Sequence, residues 1–590
     1  MSMEFDNNRQ LREIPAQLPL FVRSRTALVV AASEDQAYSP MERISTLIHL
    51  ADRFFGHHAN NGEKDSILAS VLAHRVARLV FQLSAQAQEE VFQATRREDN
   101  PVARFLMPYI REHMPQLASI ELANCVWAAS VLRVDDPALW EVAAERTKKV
   151  AYSLTAHGLA NVAWAFTKQA ANCPELFESL GQQTLEVVRG SRAQVLSTLA
   201  LAFSKARLER PDVFRALGDE FIRRLSEAST KNIANVLMAL GTSNIAHVQL
   251  FNRAASELLN RSDELNSRDI ASCYWAIAKM GVWREDLFDF FSSQICTKLR
   301  QFSAHDLCTV AWSVGMTKRQ DPRLFREIGN ALIPKVRECS FVGLSNVANA
   351  FADCSIRDDE LMQSVVNEVL ARGPSGFKDE LGSIAWSMAT LGVPHDAFFT
   401  MLAEDTAQNA AQLEPRHLVI RTWALAFGKP ELVATVCPRE KLDTFVDEGN
   451  WMQVYEAFLA VGLMGPNDDQ PRLREVENSN RIQPLTEFEL GVERELLASG
   501  FAADEIRRLP VIAGKYASFL ITRDNTRVAI RCLRDRKHRA LGPDGQCLMG
   551  RDIIQERAWA QCGVRTAHLF ESEYRLGGVQ ELRRRLDGIF

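Results

Sequence analysis

Through the middle of the chain, apolar and small residues recur in a helical pattern that repeats every 37 residues. The stretch Leu159–Lys168, reading LANVAWAFTK, shows the unit. At about 100° per residue, Leu159, Val162, Ala163 and Phe166 share one face while Ala160 and Trp164 point elsewhere. A helix this apolar all round must be covered on several sides. Stepping by 37 from Asn161 gives a small polar column: Asn124, Asn161, Thr198, Asn235, Ser272, Thr309, Asn346 and Ser383, ending at Ile420. Three residues on stand Trp127, Trp164, Leu201, Met238, Trp275, Trp312, Asn349, Trp386 and Trp423, which hold six of the ten tryptophans. The next position is always Ala or Ser in the units from Ala128 to Ala424. Self-similarity at such a period is the mark of a solenoid.

A second motif keeps the same step. Its aromatic column is Trp140, Phe177, Phe214, Phe251, Phe288, Phe325, Met362 and Phe399, and Pro137, Pro174, Pro211 and Pro322 stand three residues ahead of four of these. Val248, Glu285, Asp359 and Asp396 stand there in the others. Proline and carboxylates suit a helix's first turn, so this motif opens one helix, the A-helix, near Pro174 in one unit. Thr155, Ser229, Asn266, Ser303 and Ser340 supply N-cap oxygens before the other helix, the B-helix, predicted over 156–168 in that unit. Each unit is thus a pair of antiparallel helices, and neighbours must stack to bury what one pair cannot. The expectation is a mainly α protein, a right-handed α-solenoid followed by a small α/β domain.

The rest of the chain departs from the period. Residues 1–35 form an N-terminal segment in which Arg9, Arg12, Arg23 and Arg25 suggest targeting and Glu4, Asp6 and Glu13 argue against it. Residues 36–100 read as a helical cap with helices over 41–55, 65–83 and 86–97; residues 101–436 are the array; and residues 437–480 hold a helix out of register and the turn-rich linker at Gly465–Pro471. From 481 to 590 the pattern turns α/β: a helix at 487–499, a hairpin of 516–521 and 527–533, a loop at 538–545, a helix at 553–561, a strand at 564–570 and a closing helix at 579–586.

Composition narrows the function. Apolar content of 47% and charge of 24% are those of an ordinary soluble chain. No apolar run approaches a membrane span, so insertion is not expected. The eleven cysteines form no Cys-x-x-Cys pair and read as buried thiols in a reducing compartment; neither a metal nor a cofactor is expected. Net charge is −5, but residues 510–590 carry 15 Lys+Arg against 9 Asp+Glu, which leaves −11 on the remainder. That segregation of basic charge points to a polyanion.

The C-terminal block resembles a RAP domain. Tyr516–Ile521, then Val528–Cys532, then Gly550–Trp559 and Gly563–Leu569 follow that family's order of strand, strand, loop, helix and strand. The Leu-Ala-Asn-x-x-Trp-Ala helices resemble heptatricopeptide and octotricopeptide arrays and FAST-kinase-like proteins, which commonly precede a RAP domain. The resemblance implies an organellar RNA-binding protein acting on mitochondrial or plastid transcripts or ribosomal RNA, in RNA processing, stability or ribosome assembly. It implies single-stranded RNA as partner, with organellar ribosomes or other RNA-processing proteins beside it, and the mitochondrion as location, with the plastid as the alternative. The RAP fold is similar to a restriction-endonuclease core, which raises metal-dependent RNA cleavage. By alignment with that pattern, however, the acidic positions fall on Ser518 and Arg531, with Asp524 and Asp535 displaced to turn and loop. Without the carboxylates that hold a catalytic cation, no enzyme is expected.

The candidate site residues follow. The column Asn124, Asn161, Thr198, Asn235, Ser272, Thr309, Asn346 and Ser383 suits either contact with RNA or an internal ladder; its apolar surroundings argue for the ladder. The tryptophans suit core packing, with base stacking as the alternative. Lys168, Lys205 and Lys279 either line a phosphate track or complement helix C-termini. Arg531, Arg534, Arg536, Lys537, His538 and Arg539 form the densest basic run, a solvated loop or a phosphate-binding one. The main rival to RNA binding is a protein-binding scaffold, which the acidic balance of the array supports.

Overall fold

A computed structural model of the chain describes residues 29, 32–55, 66–95, 100–169, 173–282, 284–377, 379–440, 448–465, 484–513, 515–534, 539–542 and 545–586. Its contacts divide the chain into two compact units, Met1–Leu265 with Met280–Trp283, and Asn266–Lys279 with Arg284–Phe590.

The first unit stacks four repeats. Its A-helices are Pro137–Val150, Pro174–Val187, Pro211–Arg223 and Val248–Asn260; its B-helices are Ser119–Val131, Ala156–Lys168, Ala193–Lys205 and Thr230–Thr242. Each B-helix packs on the next, and the cap helix Ser66–Gln82 takes the B position ahead of Ser119–Val131. Two further cap helices, Pro40–Phe55 and Ala85–Thr95, lie near their expected bounds.

The second unit continues the grammar. B-helices Ser267–Lys279, Ala304–Thr317, Phe341–Asp353, Glu380–Leu391 and Pro415–Gly428 stack in order, alongside A-helices Glu285–Lys298, Pro322–Leu332, Asp359–Arg372 and Asp396–Asn409. The out-of-register helix Glu448–Ala460 packs on Pro415–Gly428 as one more B-type layer.

The predicted caps are made. Thr155, Ser229, Asn266, Ser303 and Ser340 accept from the amides three residues on at 2.9–3.2 Å. The A-helix aromatic of one layer meets the B-helix of the next, edge-on in Trp140–Phe166, Phe177–Phe203 and Phe325–Phe351, with centroids 5.5, 6.5 and 4.7 Å apart. Such a pair contributes on the order of 1 kcal/mol beyond its area burial, and only a stacked neighbour supplies it.

The C-terminal domain lies within the second unit. Its strands are β1 Ile506–Arg508, β2 Val511–Ile512, β3 Lys515–Tyr516, β4 Phe519–Arg523, β5 Thr526–Leu533, β6 Arg539–Gly542, β7 Gly545–Leu548 and β8 Arg565–Phe570. The main sheet has the order β1-β4-β5-β8, antiparallel except for the β5–β8 pair. One face is covered by Glu487–Ala498 and Glu571–Leu586 through Val492, Leu496, Leu582 and Leu586, the other by Gly550–Gln561 through Trp559. The loop expected at 538–545 is instead the pair β6–β7, and β1–β3 are strands the alternation did not predict. Among the described residues no helix is long and apolar enough to cross a membrane.

Gly550–Gln561 also packs on the B-helices Glu380–Leu391, Pro415–Gly428 and Glu448–Ala460. A Cβ on Gly550 would stand 1.7 Å from the Ala389 carbonyl oxygen, so glycine alone permits this seam. Arg557 Nη1 donates to the carbonyl of Ala426 at 2.9 Å. The domain is thus fixed to the repeats that precede it.

Candidate nucleic-acid interface

Within each unit, three sides of an inner B-helix are covered, by its A-helix and by the B-helices before and after it. The remaining side is open, and four columns line it. In the first unit the outermost is Ile120, His157, Gln194 and Lys231, all exposed. Then come half-buried Asn124, Asn161, Thr198 and Asn235, and half-buried Trp127, Trp164, Leu201 and Met238. Exposed Lys168, Lys205 and Thr242 complete the face. In the second unit the same columns run through Arg268, His305, Val342, Asp379 and Arg416, then Thr309, Asn346 and Ser383, then Trp275, Trp312, Asn349 and Trp386, then Lys279, Met316 and Asp353. Ser272 and Trp423 are buried there.

This overturns two expectations. Five of the six column tryptophans are not core but half-exposed, because a B-helix has one uncovered side. Nor is the polar column a ladder between repeats. Its hydrogen bonds stay within the helix: Thr198 and Thr309 donate to carbonyls four residues back at 2.9 Å, Ser383 does so at 3.4 Å, and Asn161 lies 3.4 Å from His157 Nε2. The amides of Asn124, Asn235 and Asn346 make no side-chain hydrogen bond among the described residues. The ladder between repeats exists elsewhere. The carbonyls of Leu117, Leu154, Ala228, Phe302 and Cys339, which end the turn before each B-helix, accept from Arg146, Gln183, Arg261, Lys335 and Arg372 at 2.6–3.4 Å. Varied donors at shifted positions hid it from the repeat pattern.

Aromatic rings and cations meet on the open face. In the first unit Phe81, 58% exposed, lies 6.1 Å from Trp127 and 6.4 Å from Trp164, with His74 5.1 Å from Trp127. Burial, helped by Arg75, Arg78 and His157, lowers the His74 imidazole to about 4, so it is neutral near pH 7. Lys168 Nζ sits 5.4 Å over the Trp164 ring. In the second unit Trp275 and Trp312 lie 6.0 Å apart, and Lys279 Nζ is 4.9 Å over Trp275. The cation therefore stays on the ring side of the helix, where a phosphate beside a stacked base would meet it. Phe81 and His74 were missed because their helix does not keep the period.

The C-terminal candidates are dispersed. Arg531 is 8% exposed; its Nη1 lies 2.9 Å from Asp552 Oδ1, and its guanidinium is 5.6 Å from the Trp559 ring centroid. It is a structural ion pair, not a phosphate contact. Glu456, beside Lys515 at 3.5 Å, belongs to the same buried cluster, and burial raises its carboxyl. Ser518 donates to Glu489 at 2.7 Å. Arg534 is exposed; Arg536, Lys537 and His538 lie outside the described residues, and Arg539 is described only as strand backbone. Among the described residues no cluster of three or more His, Cys, Asp or Glu could hold a metal ion.

A family model described as RNA-editing substrate-binding complex 6 protein matches residues 63–428. Comparison with curated proteins finds no match. Among solved structures, the crystal structure of the pentatricopeptide repeat protein PPR10 from maize is similar at 11% identity, over 84% of this chain and 82% of that one, with a TM-score of 0.24.

Proposed function

This chain belongs to the RNA-editing substrate-binding complex 6 protein family, and from that premise we propose that it binds single-stranded RNA along the open side of its B-helices. The observation that carries the reading is the half-exposed column of tryptophans with Lys168 and Lys279 over two of the rings. Bases stack on such rings whatever their sequence, and the half-exposed amides and hydroxyls beside them reach base edges or phosphates. We read the C-terminal domain as RAP-like and as an RNA-binding, non-catalytic partner of the repeats. The setting we propose is organellar, mitochondrial before plastid, acting on transcripts or ribosomal RNA, and imaging of the tagged protein tests the location.

The binding test is a fluorescence-anisotropy titration of the full chain with uridine-rich RNA at several salt concentrations. Affinity should fall with a log–log slope of about −0.7 per phosphate neutralised. A flat salt response, or no binding, overturns the reading. Incubation of the bound RNA with Mg²⁺ or Mn²⁺ should leave it intact; turnover would contradict the non-catalytic assignment.

A further inference from the structure

The tryptophan column of the second unit is broken once between Trp312 and Trp386, at Asn349. A cavity of about 410 Å³ opens there, with Trp312, Asn349, Asp353, Ser383, Trp386 and Gln453 among its lining residues. That volume falls within the roughly 300–1,000 Å³ of small-molecule sites. Its back is tight: a Cβ on Gly315 would stand 2.8 Å from the Ala350 Cα, so the two helices touch behind the opening. Two tryptophans form part of the wall, and the polar side chains are those of Asn349, Asp353, Ser383 and Gln453.

Their chemistry is ordered. The Ser387 hydroxyl lies 2.7 Å from Asn349 Oδ1 and 2.9 Å from the Ser383 carbonyl, its one proton shared between the two acceptors, and with the amide oxygen on that hydroxyl the N–H₂ is the free end. Asp353, an exposed member of the lining, follows four residues later on the same helix, one turn along the same face. Crowding around its carboxyl raises its pKa, Lys318 pulls the other way, and it makes no ion pair among the described residues. The site thus offers an amide donor followed by the two acceptor oxygens of a carboxylate.

Guanine presents the complement, an O6 acceptor followed by N1–H and N2–H₂ donors. Adenine leaves one carboxylate oxygen without a donor, uracil sets its O2 against that oxygen, and cytosine reverses the order. We propose that this pocket takes a single guanine base extruded from the bound strand, its O6 on Asn349, its N1–H and N2–H₂ on Asp353, and its ring against Trp312 or Trp386. The proposal rests on the reading of the open B-helix side as an RNA surface.

The test compares three oligonucleotides on the full chain: a uridine tract, the same tract with one central guanosine, and the same with inosine, which lacks the N2 amine. The guanosine tract should bind about tenfold tighter than the uridine tract, with inosine in between. Asp353→Asn, and Asn349→Trp, which restores the column and fills the cavity, should each bring the guanosine-to-uridine ratio to about one, while thermal melts report whether the variants fold. Should the uridine tract bind with a salt-dependent affinity that guanosine does not improve, or should the preference survive in both variants, the pocket assignment falls and RNA binding stands. Should no tract bind, both fall.

Discussion

A tryptophan at fixed helical spacing is ordinarily a core residue, and Trp423 is one. Trp275 and Trp312 are not, and the difference lies in what covers the helix rather than in the residue. Trp312→Ala should weaken uridine-rich RNA by about 1–3 kcal/mol, the contribution of one stacked base, while a thermal melt shifts little. The same change at Phe214, which is fully buried, should cost about 3–5 kcal/mol of stability. Arg531 makes the opposite case. A basic run in the sequence leaves it as either a solvated or a phosphate-binding residue, yet it neutralises buried Asp552, and Arg531→Ala should destabilise the fold by about 3–5 kcal/mol in a denaturant titration. His74 gives a pH signature. Its folded value is depressed to about 4 from 6.5, so the stability it lends is full above 6.5 and is lost as pH falls through 4. An NMR titration of its ring protons should give a midpoint near 4; a midpoint at 6.5 would show the ring to be solvated. Residue identity was legible in the sequence, then, but exposure was not, because exposure depends on the neighbours a layer acquires.

Helix bounds and caps were legible, because capping is local chemistry between residues three apart. The ends of the B-helices were less so. Arg133, Arg207, Asn244, Gly281, Lys318, Ser355 and Gly392 recur at the 37-residue step with φ of 52–69°, a left-handed closing residue in each. The amides of Val134, Leu208, Ile245, Ile356 and Val393 then reach back five residues at 2.9–3.0 Å. Only two of these positions are glycine, so the signal for this closure was absent from the residue types, and five side chains bear a strain of about 1–2 kcal/mol each. Close approach is the other hidden feature. Gly550→Ala drives a methyl into the Ala389 backbone and should loosen the seam between the C-terminal domain and the B-helices, at about 1–3 kcal/mol. Limited proteolysis of the full chain reads this; an unchanged cleavage rate and melting temperature would mean that the seam is not tight.

For the molecule as a whole, a net charge of −5 argues against a nucleic-acid partner until the charges are placed. Glu175, Glu178, Glu285, Asp286, Asp359 and Glu360 stand on A-helices, whereas Lys168, Lys205, Lys231, Arg268 and Lys279 stand on the open B side, where Asp353 and Asp379 are acidic interruptions in its columns. Period and composition cannot show this division, since it appears only once each helix pair has a covered and an uncovered side. The repeat architecture followed from the sequence because every unit carries the same apolar demand. The pocket at Asn349 did not, because a gap in a column is silent until the flanking layers are in place. The central claim is that the open B-helix side is the RNA surface. Photocrosslinking of the full chain to RNA carrying 4-thiouridine, followed by peptide mapping, tests it most directly. Crosslinks should concentrate in the B-helix peptides that hold Trp127, Trp164, Trp275 and Trp312. Crosslinks confined to A-helix peptides, such as those holding Phe177 and Phe288, would contradict it.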